Sequence, residues 1–222
     1  RIEGMPEKVQ KYYYASDACD GRTAEGMAKA VHRIARWVEP GESADLELLY
    51  TLNPLQKRSS GIAEKKEYTR LTVRQILDEE KQRRTGLAKR AGFLSETASF
   101  LAKSADQFLS ERKSTGGKTI LAGYPFFEDW GRDTMIALPG VCLSTGRYEE
   151  AKSILRTFAV YEKDGLMPNL FPEGEDEPVY NTVDASLLFV NCVFLYYNRT
   201  EDRDFVQEVY PVMRRIIENY KK

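Results

Sequence analysis

The chain has 222 residues, a formal net charge of -1 and 42% hydrophobic residues, the composition of an ordinary globular protein with room for one or two domains. Without a dominant basic run it lacks the electrostatic footprint of a nucleic-acid binder, and no apolar run is long enough to span a bilayer. Neither nucleic acid nor a membrane is therefore expected as a partner, and a cytoplasmic location is the default.

Cys19, Cys142 and Cys192 are odd in number and form no CxxC pair, so neither a disulfide framework nor a zinc site is indicated. Three free thiols in a reducing compartment are expected, with no metal or cofactor. His32 is the only histidine. It falls in VHRIARWV, which reads as a strand, so a packed or solvated imidazole is expected there and not a catalytic one.

The portion up to about residue 55 has β character. Residues 31 to 38 and 45 to 52 alternate around the turn-rich EPGES, which predicts a hairpin with Pro40-Gly41 as breaker. A helix over residues 23 to 37 is the rival, because Met27, Val31, Ile34 and Val38 also share a helical face. Residues 53 to 90 are mostly charged and read as a solvated linker or connecting helix.

From about Leu94 the pattern is helical. After Ser95, Leu101, Ala105, Phe108 and Leu109 make one apolar stripe. The segment TMIALPGVCLS after Asp133 is apolar nearly all round, which predicts a buried helix. After Gly146, Tyr148, Ala151, Ile154, Leu155, Phe158 and Ala159 form a stripe; after Asp184, ASLLFVNCVFLYY is again apolar on every side. A last stripe follows Asp202, through Phe205, Val209, Met213, Ile216 and Ile217. Amphipathic helices alternating with buried ones are what an outer and an inner ring would produce, an α/α toroid. No repeated motif points to a solenoid instead. Long loops at about 112 to 132 and 161 to 183 precede each buried helix, whereas the turns after them are short. In a double ring those loops gather at one end, where function concentrates.

Both buried helices open on an aspartate, Asp133 and Asp184. The bland reading makes each an N-cap. Their neighbours suggest more: Tyr124, Phe126, Phe127, Trp130 and Arg132 share the first loop, and Asn169, Phe171, Tyr180 and Asn181 the second. Aromatic faces beside amides, carboxylates and a guanidinium suit a sugar, whose apolar ring face stacks while its hydroxyls hydrogen-bond. Asp133, at a helix N-terminus with Arg132 beside it, is expected to stay ionised, which suits it to accept from hydroxyls and not to act as a general acid. Glu128 and Asp129 are weaker catalytic candidates, expected to face solvent.

GYPFFEDWGRDTMIALPG, STGRYEEAKSIL, DGLMPNLFPEG and YNTVDASLLF closely resemble the glucosidase region of glycogen debranching enzymes, the amylo-α-1,6-glucosidase family, over about residues 86 to 220. The resemblance implies an (α/α)6 barrel that hydrolyses the single glucose left at an α-1,6 branch point of glycogen or limit dextrin, with inversion. It implies that Trp130, Arg132 and Asp133 line the subsite of the released glucose, with Asn169 and Asp184 close by and Tyr124 as a further binding residue. Residues 1–55 then read as the end of a β-rich N-terminal domain, 56–90 as a linker, and 91–222 as about five of the barrel's twelve helices. In the family the acid and base lie on later loops, one in a Thr-Trp-Met-Asp type motif that this sequence lacks. With Arg1 at its start and a helical pattern running to Lys222, the chain is expected to be a piece of a longer protein whose acid and base lie beyond Lys222.

Overall fold

The computed structural model describes residues 2–19, 21, 23–48, 72–112, 114–124, 127–170 and 177–221. The chain divides into two compact units, Arg1–Lys66 and Glu67–Lys222. In the first, strands β1 (Ile2–Tyr13) and β2 (Glu25–Ile34) pair antiparallel, with Tyr13 opposite Glu25 and Lys11 opposite Met27. The short helix α1 (Ala15–Cys19) lies between them in sequence.

The hairpin that forms is thus not the expected one. A turn does occur at EPGES, where the Glu42 N–H donates to the Glu39 carbonyl at 3.0 Å. Residues 35–38 and 45–48 nevertheless form no strand, and 49–52 lie outside the described residues. The backbone groups of β2 are satisfied by β1, which lies upstream and is 12 residues long; that ladder also excludes the rival helix over 23 to 37. His32 sits in β2 opposite Gly4, and its side chain lies outside the described ones.

The second unit is mainly helical. Part of the charged stretch forms α2 (Val73–Ala91), started by a capping box in which Thr72 and Gln75 exchange side-chain and backbone hydrogen bonds. Residues 53–71 lie outside the described ones. Because α2 buries none of its side chains, polar ties hold it: Arg83 donates to Glu80 and to Asp106, each at 2.6 Å. Helix α3 (Glu96–Ala105) follows and buries only Ala102.

The expected stripe through Leu101, Ala105, Phe108 and Leu109 is not one helical face. Leu101 is 60% exposed, and the chain leaves the helix at a 3-10 turn, Asp106–Phe108. The Asp106 carboxylate there accepts from Arg83 and from Arg147 Nη2 at 2.6 Å, which anchors the turn to α2 and to the start of the next long helix. Leu109 then opens β3 (Leu109–Arg112), antiparallel to β4 (Gly117–Ile120). This hairpin occupies sequence that reads as loop; its signal is the STGG turn, in which Gly116 has φ +65°.

The core is built by α4 (Gly131–Leu138), a π-helical turn at Pro139–Leu143, α5 (Tyr148–Val160), α6 (Ala185–Thr200) and α7 (Arg203–Tyr220). The α5 stripe is as expected, with Ala151, Ile154, Leu155 and Phe158 buried and Tyr148 and Ala159 packed against them. On α7, Phe205, Val209 and Ile216 are buried, and Val212 completes the face in place of Ile217. Each large side chain so buried contributes about 1.5–3 kcal/mol. Helices α4 and α6 are not buried on every side. Met135, Leu138, Phe189, Val193 and Tyr196 face the core, but Ile136, Leu187 and Phe194 are exposed.

Two contacts fix the relation of α4 to α6. Arg132 meets Asp184 at their N-terminal ends, and further along the Cys192 thiol donates to the Met135 carbonyl at 3.0 Å. Both chains advance in the same direction, so these helices pack parallel. Cys142 and Cys192 are free and buried, and burial pushes both thiols up to about 12. Among the described residues no helix is long and apolar enough to cross a membrane.

Burial alone would raise the pKa of Asp106, but the hydrogen bonds from Arg83 and Arg147 outweigh it and hold the carboxyl below its usual range. A lowered folded-state pKa adds stability above the unfolded value that is lost as pH falls through the folded one. Asp106→Asn should therefore lower stability by about 2 kcal/mol near neutrality. Urea unfolding followed from pH 7 down through the carboxylate range should show the gap to the parent protein closing.

Candidate functional site

The two long loops meet at the start of α4. Trp130 is extended and forms a bridge with Leu170, and the Gly131 N–H donates to the Asn169 carbonyl at 2.6 Å. The second loop folds back on itself: the Asn169 N–H reaches the Val179 carbonyl at 2.8 Å, and the Val179 N–H the Leu170 carbonyl at 3.0 Å. A Cβ on Gly131 would lie 2.0 Å from the Pro168 carbonyl oxygen. Only glycine admits this approach.

The frame beneath is polar and specific. The Met167 N–H donates to the buried Ser186 hydroxyl at 2.9 Å. Near the start of the second loop, Glu162 accepts from the Gly165 N–H at 2.6 Å and from Arg215 Nε of α7 at 2.8 Å. Near its end, the Tyr220 hydroxyl donates to the Val183 carbonyl. The last turns of α7 therefore hold both ends of the loop that α6 follows.

On this frame stand most of the expected residues. Arg132 Nε lies 3.0 Å from Asp184 Oδ2, and both side chains are exposed. The other oxygen, Asp184 Oδ1, accepts from the Thr182 hydroxyl at 2.7 Å. That hydroxyl first of all, with a lesser contribution from the Arg132 charge, holds the Asp184 carboxyl below its ordinary range against desolvation. Asn169 Nδ2 donates to Asn181 Oδ1 at 2.8 Å, and the Tyr180 hydroxyl donates to the Tyr161 carbonyl at 2.7 Å. Trp130 is half-buried and Asp133 exposed.

Neither aspartate makes a side-chain capping bond. Trp130 occupies the N-cap position of α4, and Asp184, though it occupies that of α6, makes no side-chain capping bond because its own backbone is helical (φ -89°, ψ -25°). Nor does Arg132 serve Asp133: its ion pair is with Asp184, and the Asp133 carboxylate makes no hydrogen bond or ion pair with the described residues. Tyr124 packs instead against Phe108, ring centroids 6.1 Å apart. Phe126 and Phe171 lie outside the described residues. A cavity of about 630 Å³ between the hairpin tip and α5, lined by Thr115, Lys152, Ser153 and Arg156 among others, includes none of these side chains.

Asp129 does not face solvent. It is 2% exposed and accepts from Arg112 Nε at 2.9 Å, from Arg112 Nη2, and from the Thr119 hydroxyl at 2.6 Å. A carboxylate so occupied ties β3 and β4 to the loop before α4. Glu128 is exposed. Sequence reasoning passed over Thr182, although a hydroxyl two residues before a carboxylate is the spacing of a local side-chain bond.

Residues 103–222 match the amylo-alpha-1,6-glucosidase family, and the chain belongs to that family. A glycogen debranching enzyme of Saccharomyces cerevisiae is 39% identical over 104 residues, an alignment covering 42% of this chain. The same alignment covers 7% of that relative, so the chain spans only a small part of its length.

Two substitutions test the frame. Asp129→Asn should cost about 3–5 kcal/mol, because it removes the carboxylate that the buried Arg112 charge meets; a urea midpoint unchanged from the parent would refute this assignment. Gly131→Ala should destabilise by about 1–3 kcal/mol or more, read as a lowered urea midpoint, as the two loops part.

Proposed function

We propose that this chain supplies the glucose-holding part of a debranching glucosidase that hydrolyses α-1,6-linked glucose on a branched α-glucan such as glycogen or limit dextrin. The observation that carries the reading is the Arg132–Asp184 pair, which joins the N-terminal ends of two parallel helices beside Trp130, Asp133 and Asn169. Trp130 offers a face for the apolar side of the ring. The carboxylates of Asp133 and Asp184 accept from hydroxyls, while the Arg132 guanidinium, paired with Asp184, brings N–H donors for ring oxygens. Tyr124 is the outlying member, within reach of an adjoining sugar.

The parallel packing of α4 and α6, with α5 and α7 against them, fits the first part of an (α/α)6 barrel. Residues 1–55 then belong to the end of a preceding β-rich domain and 56–90 to a connector. An inverting mechanism needs a raised-pKa acid and a separate base, their carboxyls about 6.5–9.5 Å apart with a water between. Asp129 is occupied by Arg112 and Thr119, and Asp184 is held ionised. Neither of these two is thus suited to be the acid, and the resemblance to the family implies that acid and base lie on later loops, beyond Lys222.

Incubated with branched limit dextrin, the full-length protein should release free glucose, first as the β anomer in a proton NMR time course, since inversion of an α linkage yields β. Release of linear or transferred oligosaccharide alone would overturn the reading, and dextrin that binds without being cleaved would replace it with a glucan-binding role. Asp133→Ala should lower kcat/KM by about 100-fold or more, as loss of charge-assisted hydrogen bonds at the bound sugar implies. Faster turnover of trehalose or linear maltooligosaccharide would move the protein to another specificity.

A further inference from the structure

Asp184 holds an unusual position for an aspartate at a helix start. It occupies the N-cap position of α6, yet with φ -89° and ψ -25° it makes no side-chain capping hydrogen bond, and the N–H groups of Asp184 and Ala185 contribute least to holding its charge. Two side chains hold it instead, one against each oxygen: the Thr182 hydroxyl donates to Oδ1 at 2.7 Å, and Arg132 Nε forms an ion pair with Oδ2 at 3.0 Å. They differ in rigidity. Arg132 is an exposed, many-rotamer side chain on the facing helix, whereas Thr182 is β-branched and two residues away on a backbone anchored by the bond from Tyr220 to Val183.

We propose that Thr182 is a positioning residue for substrate: its hydroxyl holds the Asp184 carboxylate in the plane from which the remaining lone pairs meet adjacent sugar hydroxyls. The assignment rests on the glucose-clamp reading of the site. With Oδ1 accepting from Thr182 and Oδ2 paired with Arg132, the lone pairs left on the two oxygens span two neighbouring hydroxyls of a pyranose ring. Without the Thr182 hydroxyl the carboxylate loses its side-chain hydrogen bond and rotates about its terminal torsion, which is soft. Among the described residues, the charged group that faces Asp184 is Arg132 from α4, and Tyr220 is the ionisable group that α7 brings to the same loop end.

The test compares Thr182→Val, which keeps the shape and removes the hydroxyl, with Thr182→Ser, which keeps the hydroxyl. Asp184 serves binding when ionised and loses that role as pH falls through its folded pKa. In the full-length protein acting on limit dextrin, Thr182→Val should raise KM about 5- to 20-fold with a smaller change in kcat. It should also move the acid limb of kcat/KM upward, toward the ordinary aspartate value near about 4. Thr182→Ser should restore both. An unmoved KM and acid limb in the valine variant would overturn the proposal, as would a serine variant as impaired as the valine one, since the hydroxyl would then not be what matters. Should the parent release no glucose, the debranching reading fails by itself. Dextrin affinity by calorimetry then carries the same comparison, with equal affinity in parent and valine variant overturning the role of Thr182.

Discussion

The contact on which this site depends is the one at Gly131, where the backbone of one loop lies so close to that of the other that a single methyl group would not fit. The hydrogen bond from its N–H to the Asn169 carbonyl, at 2.6 Å, joins the start of α4 to the second loop. That loop is held in turn by Ser186 at the start of α6 and by Arg215 and Tyr220 at the end of α7. Three helix ends therefore share one backbone frame. The geometry of Arg132 relative to Asp184 follows from that frame and not from the strength of their ion pair, which is exposed and so contributes little to stability.

Environment assigns different work to carboxylates that sequence places side by side. Asp129 is buried among Arg112 and Thr119, and every bond it makes holds the β3–β4 hairpin against the loop. A buried carboxylate survives only with such partners. Four residues later, Asp133 is in the first turn of α4 and exposed. The change from occupied to open takes one helical turn, because the chain passes from loop to helix at Trp130 and successive side chains are then thrown to different sides.

Much of the helical core was legible in the sequence, since the stripes on α5 and α7 express a 3.6-residue period that packing then uses. The same reasoning failed where a local rule was overridden by a distant partner. At Asp106, arginines from α2 and from the start of α5 end a helix whose apolar period runs on to Leu109. In the first unit, β2 pairs with a strand upstream, and the alternation around EPGES carries no information about which neighbour a strand will choose. The site residues Trp130, Arg132, Asn169 and Asp184 were recognisable as chemical types on neighbouring loops. Which charge pairs with which was not: adjacency suggested Arg132 with Asp133, whereas helix geometry sends the guanidinium across to α6.

A weak ion pair on a rigid frame has a consequence for binding. Had Arg132 and Asp184 been buried, separating them to admit a sugar would expose uncompensated charges in a medium of low dielectric. Exposed, each already exchanges contacts with water, so hydroxyls of a ligand replace water at little cost while the backbone beneath does not move. In the proposed reading the glucose ring meets an acceptor and a donor whose spacing was set before it arrived, and its affinity is not spent on ordering the loops. In that reading stability and recognition are carried by different groups in the same stretch of chain: Arg112, Asp129 and Gly131 hold the loops together, and Trp130, Arg132 and Asp133 are proposed to meet the ligand.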